Sequence, residues 1–172
     1  MVEVTVARLG LDSSTNSYVV ILQEKGRSRL LPIWIGQPEA ESIAMHINSI
    51  KRDRPLTHDL CKNLIVGLGG QLRRVQITKV QKSTYFAELH IMRGDVLVQI
   101  DARPSDSIAV ALRLSAPIYA QDALLTAVEA DDEEEIETPE LEPAKSAEEL
   151  NAEQLKEYLE NLRPEDFGKF NL

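Results

Sequence analysis

YFAELHIMRGDVLVQIDARPSDSIAVAL, residues 85–112, is the stretch that decides the predicted fold. Its β-branched and alternating apolar residues predict strands at 84–92 and 95–101, joined by a turn at Arg93-Gly94. After the second strand, apolar residues at helical spacing predict a short helix over 105–114. A β-hairpin followed by a helix is therefore the unit from which the rest of the chain is interpreted.

An earlier stretch has the same order of features. YVVILQEKGRSRLLPIWIGQPEAESIAMHI, residues 18–47, also contains a strand led by an aromatic residue, a glycine turn, a strand ending in Ile and a loop with a proline. The helix openings match as well, ESIA at 41–44 and DSIA at 106–109. Chance similarity of two hairpins is the alternative. We predict an internal duplication of a β-β-α unit, which would give the two helix openings equivalent positions.

The remaining segments complete an α+β fold with a mixed, mainly antiparallel sheet and packed helices. Further strands are predicted at 2–11, 17–24, 29–35, 71–80 and 117–120, with a short helix after Asp122. Pro32 interrupts the third strand. Because proline donates no backbone hydrogen bond, that strand should lie at a sheet edge or contain a bulge.

Two amphipathic helices are predicted between residues 36 and 70. The first starts near Pro38, and its apolar residues follow helical spacing through Ile50. The second has Thr57 as its expected N-cap and Gly69-Gly70 as a left-handed exit. We expect its apolar face to dock on a core; this face consists of Leu60, Cys61, Leu64, Ile65 and Leu68.

Charge is divided unevenly along the chain. The net charge is −9, but residues 1–130 carry 15 Lys and Arg against 13 Asp and Glu, whereas residues 131–172 carry 4 against 15. The acidity therefore belongs to the C-terminal segment. A slightly basic folded part does not exclude nucleic acid as a partner.

The C-terminal quarter of the sequence predicts two further regions beyond a folded domain at 1–130. Residues 131–149 are acidic and contain two prolines, which predicts a disordered linker. Residues 150–172 predict an amphipathic helix with a narrow leucine stripe at Leu155, Leu159 and Leu162. We expect that stripe to contact the chain's own domain, another subunit or a partner protein.

Composition also indicates a compartment. Cys61 is the only cysteine, so no intrachain disulfide is possible, and the N-terminal residues have no pattern of a secretory signal. No apolar run approaches the roughly 20 residues that a membrane span requires. We therefore expect a cytoplasmic protein with no membrane partner.

Three motifs together resemble the bifunctional nuclease family. They are LPIWIGQPEAESIA at 31–44, RPLTHDL at 54–60 and DARPSDSIAVALR at 101–113, and the resemblance covers roughly residues 3–128. It implies an α+β fold with an internal duplication, frequent self-association and cleavage of both RNA and DNA. It identifies the folded region as a bifunctional nuclease-like domain but assigns no catalytic roles.

Residues suited to phosphodiester hydrolysis gather in these motifs. Such chemistry needs a base or a metal, positive charge for the phosphorane oxygens and an acid for the leaving oxygen. Asp101, Asp106, His58 and Asp59 are the candidate catalytic residues, Arg54 and Arg103 the candidate phosphate ligands, and Asp101, Asp106 and Glu39 the candidate ligands of a divalent metal such as Mg²⁺.

Each assignment has a structural alternative. Asp106 in a first helical turn complements the helix dipole, and Asp101 and Arg103 can pair with each other. His58 can be a surface or capping histidine. We predict a metal-assisted nuclease of relaxed specificity acting on RNA and DNA; the alternative is a non-catalytic oligomeric binding or regulatory module whose acidic tail recruits a protein partner.

Overall fold

A computed structural model of the chain describes residues 1–12 and 15–127. Its eight strands are β1 (Val2–Asp12), β2 (Ser17–Glu24), β3 (Arg29–Ile35), β4 (Gly70–Gln81), β5 (Thr84–Arg93), β6 (Val96–Ala102), β7 (Ile118–Ala120) and β8 (Thr126–Ala127). They form one sheet in the order β6-β5-β4-β7-β1-β2-β3-β8. The predicted linker at 131–149 and C-terminal helix at 150–172 lie outside the described residues.

The sheet consists of two antiparallel meanders joined by a short strand. One meander is β1-β2-β3 and the other is β4-β5-β6, and β7 lies between them, parallel to β4 and antiparallel to β1. The mixed, mostly antiparallel sheet confirms the predicted α+β class. Each meander ends in a hairpin followed by a helix, as the sequence pattern predicts; duplication as the origin of this arrangement stays a prediction.

Three helices cover one face of the sheet. They are α1 (Gln37–Ile47), α2 (Thr57–Gly67) and α3 (Pro104–Leu114). The central helix is α3, which packs between α1 and α2 and over β4 and β5. Its first two turns are almost entirely buried, and Ile108 and Ala109 have no exposed surface. The apolar pattern of the DSIA opening is therefore the pattern of the central core helix.

The two N-terminal helices differ from expectation in where their apolar residues lie. The first ends at Ile47, and Ile47 and Ile50 are exposed. The second begins at Thr57, so Leu56 takes the N-cap position instead of Thr57. Leu60, Leu64 and Leu68 are each more than half exposed, and only Cys61 and Ile65 of the predicted face pack against the core. The expectation that the whole α2 face docks on a core was wrong.

The two edges of the sheet are protected to different degrees. The β3 edge pairs with β8 only at Arg29 and Leu30, so Pro32 lies beyond the last paired residue, as predicted for a proline in a strand. The sequence pattern missed β8, since two residues give no periodicity. The other edge is β6, which has no proline and pairs with β5 without a bulge. In the described part of the chain, no helix is long and apolar enough to cross a membrane.

Candidate active site

The start of α3 presents an arginine and an aspartate side by side. Arg103 is in extended backbone conformation, Pro104 takes the first helical position, and Asp106 follows in the first turn. Proline fits this position because its backbone has no N–H to satisfy. Arg103 donates through Nε to Asp106 Oδ2 at 2.7 Å and through Nη2 to Oδ1 at 3.1 Å. This two-point contact aligns the guanidinium with the carboxylate.

Glu39 in the first turn of α1 joins the same arginine. Arg103 Nη2 donates to Glu39 Oε1 at 2.6 Å, and thus bridges two carboxylates from two helices. Gly36 leaves space for this arrangement, because a Cβ at position 36 would collide with the Glu39 carboxylate. The Arg103 side chain is nevertheless 66 % exposed. It is therefore held in place on one side and open to solvent on the other.

His58 on α2 connects this cluster to the buried part of the helix layer. The histidine is buried, and its Nε2 lies 3.0 Å from Asp106 Oδ1. Its Nδ1 lies 2.8 Å from Ser42 Oγ on α1. Assigning the ring proton to Nε2 satisfies both contacts, with Nε2–H donating to Asp106 and the Ser42 hydroxyl donating to Nδ1. Ser42, His58 and Asp106 form a continuous hydrogen-bonded chain, here called the relay.

A second ion pair lies behind the relay. Arg113 in the last turn of α3 donates through Nε to Asp59 Oδ1 at 2.6 Å, and its Nη2 donates to Ser42 Oγ at 3.0 Å. Asp59 also accepts the backbone N–H of Leu56 at 2.9 Å, which caps α2. The Arg113 side chain is 6 % exposed. This pair, here called the clamp, joins α1, α2 and α3.

Both aspartates are held in the ionised form. Burial opposes ionisation of Asp106, but hydrogen bonds from Arg103 and His58 outweigh it and lower the pKa of the carboxyl. Asp59 follows the same physics, because bonds from Arg113 and from the Leu56 backbone outweigh burial and lower its pKa. The hydrogen bonds to Asp106 and Glu39 raise the pKa of Arg103. Asp106, Asp59 and Arg103 are therefore charged at neutral pH.

An apolar groove of about 700 Å³ leads to Asp106, the end of the relay that contacts Arg103. Its walls come from α2, β5, β6 and the start of α3, and include Leu64, Leu68, Ile91, Val98 and Ile100. His58, Arg103 and Asp106 line its polar end. Asp59 and Arg113 line a separate, smaller depression. The Arg103–Asp106 pair and the clamp thus line different depressions of the surface.

The structure brings some of the predicted site residues together and separates others. Arg103, Asp106, His58 and Glu39 form one cluster. Ile100 and Ala102 of β6 line the groove, so the alternation of a strand directs Asp101 to the opposite face of the sheet. Asp59 belongs to the clamp. Arg54 is exposed in the loop before α2, and no described side chain forms an ion pair with it.

The predicted metal ligands do not fit a divalent ion in this arrangement. Asp101 faces away from Asp106, and the Arg103 guanidinium lies between Asp106 and Glu39. A cation bound between these carboxylates would have to displace a charge of its own sign. Among the described residues, no three His, Cys, Asp or Glu side chains are grouped as a metal site. A divalent metal as cofactor therefore stays a prediction, and this cluster does not provide its site.

Sequence reasoning missed Ser42 and Arg113. Both stand in the quoted motifs, Ser42 in ESIA at 41–44 and Arg113 at the end of DARPSDSIAVALR. Ser42 matches Ser107 in the repeat, and an unexplained repeated serine was the available signal. The groove was missed for a different reason. The leucine stripe of α2 was assigned to the core, and periodicity does not reveal which apolar faces remain uncovered.

Comparison with known proteins points to one family. The sequence model of the protein family described as "Bifunctional nuclease domain" matches residues 20–133 of this chain. An uncharacterized protein of Mycobacterium tuberculosis (strain H37Rv) is 38% identical over 171 residues, which is 97% of this chain and 98% of the relative.

Plant relatives carry a functional name. Bifunctional nuclease 2 of Arabidopsis thaliana is 31% identical over 106 residues, covering 60% of this chain and 32% of the plant protein. Bifunctional nuclease 1 of Oryza sativa subsp. indica is 26% identical over 110 residues, covering 62% of this chain and 33% of the relative. The matched region is therefore about a third of each plant nuclease.

Proposed function

The chain belongs to the family defined by the bifunctional nuclease domain, and on this premise we propose that it hydrolyses phosphodiester bonds in both RNA and DNA at the polar end of the groove. The observation that carries the proposed location is the convergence of His58, Asp106 and Arg103 from two helices at an open cleft. A phosphate needs a cation and a nearby base, and this cluster offers both.

Arg103 is the proposed phosphate ligand. Its guanidinium has exposed donors, and a planar fork matches two phosphate oxygens as well as it matches a carboxylate. Arg103 can exchange the Glu39 contact for a phosphate oxygen while its Nε stays on Asp106. Positive charge at that position stabilises the oxygens that gain charge in the transition state.

Asp106 is the proposed base that takes a proton from the attacking water, with His58 as its positioning residue. As the water oxygen bonds to phosphorus, the bond to the leaving oxygen breaks, and that oxygen takes its proton from solvent at the open rim of the groove. A carboxylate with a lowered pKa is a weak base while both cationic and N–H partners remain in place. When Arg103 Nη2 moves from Glu39 and Asp106 Oδ1 to a phosphate oxygen, Asp106 keeps only the Nε contact from Arg103. Its carboxylate then becomes more basic, because one of the hydrogen bonds that lower its pKa is lost. Substrate binding would then activate the base. His58 keeps the carboxylate oriented through its Nε2–H.

The expected breadth of substrates follows from the kind of contact. Arg103 and Asp106 would act on the phosphate and the water, and neither contact reads a base or a 2′-hydroxyl. Such a site cleaves RNA and DNA alike. The cytoplasmic location and a protein partner for the C-terminal segment stay predictions.

The second candidate is the non-catalytic binding or regulatory module. One observation favours it: Arg103, Asp106, Glu39 and His58 already satisfy one another. A cluster of satisfied ion pairs has a structural use whether or not a substrate arrives. In this case Arg103 would bind an anionic ligand without turnover.

The test is cleavage of fluorescent single-stranded RNA and DNA by the full chain. The wild type is compared with the Arg103→Ala/Asp106→Asn double variant in Mg²⁺, Mn²⁺, Ca²⁺ and EDTA. Asp95→Asn is the matched control, an aspartate in the β5–β6 turn outside the cluster. We expect cleavage of both substrates by the wild type and the control, and loss in the double variant when circular dichroism shows that it is folded.

Two other outcomes are informative. Equal cleavage by the double variant would refute this site. Absence of cleavage by the wild type in every buffer would favour the binding module. Asp101→Asn is run beside these variants, because loss of activity there would return Asp101 to the site. The EDTA sample tests the metal requirement separately from the location of the site.

A further inference from the structure

The smaller depression beside the clamp is a second pocket, with a volume of about 360 Å³. Its walls come from the end of α1, the loop at 48–56, the start of α2 and the last turn of α3. Three cationic side chains of the loop and of α2 line it, and they are Lys51, Arg52 and Lys62. We call them the three cations and the depression the cationic pocket. Its volume lies within the range of small-molecule sites.

The positive charge of the cationic pocket is not neutralised by the protein. Asp53 and Asp59 are the carboxylates that line it. Asp59 is already paired with Arg113, whose Nε lies 2.6 Å from its Oδ1. In the described part of the chain, no carboxylate lies within ion-pair distance of any of the three cations. The pocket therefore has an excess of positive charge, which favours an anion.

The titration of His46 is affected by the same charge. His46 lines the pocket from the last turn of α1. Partial burial lowers the pKa of its imidazole, and the charges of Arg113 and Lys62 lower it further, against the opposing charge of Asp59. The positive potential therefore extends into the space that a ligand would occupy.

The cationic pocket also has apolar surface. Four apolar side chains line it beside the charged groups, and they are Met45, Ile50, Pro55 and Leu56. A ligand that matches both kinds of surface has an anionic end and an apolar body. Inorganic phosphate has no such body, and an acidic peptide carries its charges without one. A nucleotide has both parts, because its base is a flat ring with apolar faces.

We propose that the cationic pocket binds a nucleotide by its terminal phosphate, with the three cations as phosphate ligands and the apolar side chains against the base. A phosphomonoester carries about two negative charges at neutral pH, whereas a phosphodiester inside a strand carries one. Lysine binds phosphate as a point charge and arginine as a planar fork. The pocket is therefore better matched to a terminal phosphate than to the middle of a strand.

The clamp keeps its contacts when the pocket is filled. Arg113 donates to Asp59 and to Ser42, so its charge contributes to the pocket while its Nε and Nη2 groups stay engaged. The terminal phosphate can belong to a free nucleotide or to the end of an oligonucleotide. The proposed binding does not depend on nuclease activity.

The test is calorimetric titration of the full chain with adenosine monophosphate in EDTA. This probe has no phosphodiester bond, so the proposed nuclease activity cannot consume it. We expect the wild type to bind it, and to bind adenosine or inorganic phosphate at least about 10-fold more weakly, since each lacks half of the contacts. Lys62→Met and Arg52→Met should each lower the affinity by about 10-fold. Lys82→Met is the matched control, a lysine of the β4–β5 turn that does not line the pocket.

The Arg103→Ala/Asp106→Asn variant separates this pocket from the proposed nuclease site. It should bind adenosine monophosphate as the wild type does, and loss of binding there would place the probe at Arg103 and overturn the proposal. Absence of binding by the wild type at millimolar probe would also overturn it, as would unchanged affinity in both Lys62→Met and Arg52→Met. Equal affinity for an oligoglutamate peptide would replace the nucleotide with an acidic peptide as ligand.

Two oligonucleotides, titrated into the same double variant, distinguish the sources of the phosphate. A 5′-phosphorylated strand that binds as well as adenosine monophosphate assigns the pocket to strand ends, and binding of the mononucleotide alone assigns it to free nucleotides. The same strand with hydroxyl ends should not displace adenosine monophosphate. Displacement would show that the pocket binds a phosphodiester, against the proposal.

A measurement on the unmodified chain guards against misfolded variants. Adenosine monophosphate should raise the pKa of His46 in an NMR titration of the imidazole, because the phosphate offsets the charges of Arg113 and Lys62. An unchanged pKa of His46 at saturating probe would contradict occupation of the cationic pocket.

Discussion

Two arginine–aspartate pairs in this molecule have Nε contacts of similar length and different surroundings. Arg103 Nε lies 2.7 Å from Asp106, and Arg113 Nε lies 2.6 Å from Asp59. The Arg103 side chain is 66 % exposed at the mouth of a groove, whereas the Arg113 side chain is 6 % exposed between three helices. Ion-pair chemistry alone therefore does not separate a binding site from a structural contact. The exposure of the arginine side chain to solvent is what distinguishes the two pairs.

The two arginine–aspartate pairs also differ in how they use the two Arg-Pro dipeptides near helix starts, Arg54-Pro55 and Arg103-Pro104. Arg54-Pro55 lies just before α2, Pro104 is the first residue of α3, and both helices place an acid in their first turn. At α3 the arginine of the dipeptide pairs with that acid. At α2 the acid, Asp59, is taken by Arg113 from α3, and Arg54 stays exposed. One pattern thus gives a candidate site in one place and a helix clamp in the other.

The largest expected contrast comes from neutralising each aspartate. Asp106→Asn removes the proposed base and should lower the rate of phosphodiester cleavage by about 10³-fold, within the range for loss of a catalytic acid or base. Asp59→Asn should leave that rate within about 3-fold of wild type, because its carboxylate faces away from the groove. Initial rates on one fluorescent RNA check both. Equal losses of cleavage rate in the two variants would contradict the assignment of Asp106 to the site and Asp59 to the clamp.

When stability is measured and each arginine is replaced, we expect the larger effect at the clamp and the smaller one at the Arg103–Asp106 pair. Arg113→Met leaves Asp59 and the Ser42 carbonyl without a partly buried partner, and should lower the free energy of unfolding by about 3 kcal/mol. Arg103→Met alters an exposed pair and should lower it by less than about 1 kcal/mol. Urea unfolding followed by circular dichroism gives both values. A larger loss for Arg103→Met would show that the clamp was misidentified.

Ser42 lies where the relay and the clamp meet, so its hydroxyl tests whether the two communicate. Ser42→Ala removes the donor to His58 Nδ1 and should lower kcat by about 10-fold with KM unchanged, because substrate contacts remain. Ser107→Ala is the matched control: its Oγ is buried without a hydrogen-bond partner among the described groups. It should leave kcat unaltered. A rise in KM without a fall in kcat would remove Ser42 from its positioning role.

The smallest expected effect is the pH dependence of the clamp. Because folding lowers the pKa of Asp59, its contribution to stability is complete above the ordinary aspartate pKa of about 3.9 and is lost as the pH falls through the folded-state value. Its side chain is partly exposed and screened by solvent, so we expect about 1 kcal/mol. Unfolding of wild type and Asp59→Asn between neutral and acidic pH should show a difference that shrinks below the ordinary pKa. If the difference in unfolding free energy between the two proteins stays constant with pH, the ionised Asp59 carboxylate does not contribute to stability.

Most of the fold was predictable, because its elements have clear periodicity. Both hairpins, all three helices and β7 were found near their observed positions, and Gly69 has the left-handed backbone that the predicted exit of α2 requires. The errors concern burial. The leucine stripe of α2 has the spacing of a core face, yet no described element covers it.

The candidate site was predictable only where its residues are close in sequence. Arg103 and Asp106 are three residues apart, and a helix start brings them together. Asp101 was grouped with them for the same reason, but strand alternation turns it to the other face. Ser42 and Arg113 contact His58 and Asp59 across long sequence separations. Such contacts depend on helix packing, which a single sequence does not specify.

The most direct test of the comparison is to observe both arginines while a substrate analogue binds. Nitrogen-15 spectra of the full chain resolve arginine Nε–H groups, and a single-stranded phosphorothioate DNA serves as a slowly cleaved probe. We predict that the probe shifts the Arg103 Nε–H resonance and leaves that of Arg113 in place. A shift of Arg113 with Arg103 unmoved, or no shift of either at saturating probe, would contradict the claim that the start of α3 is the site and the clamp is structural.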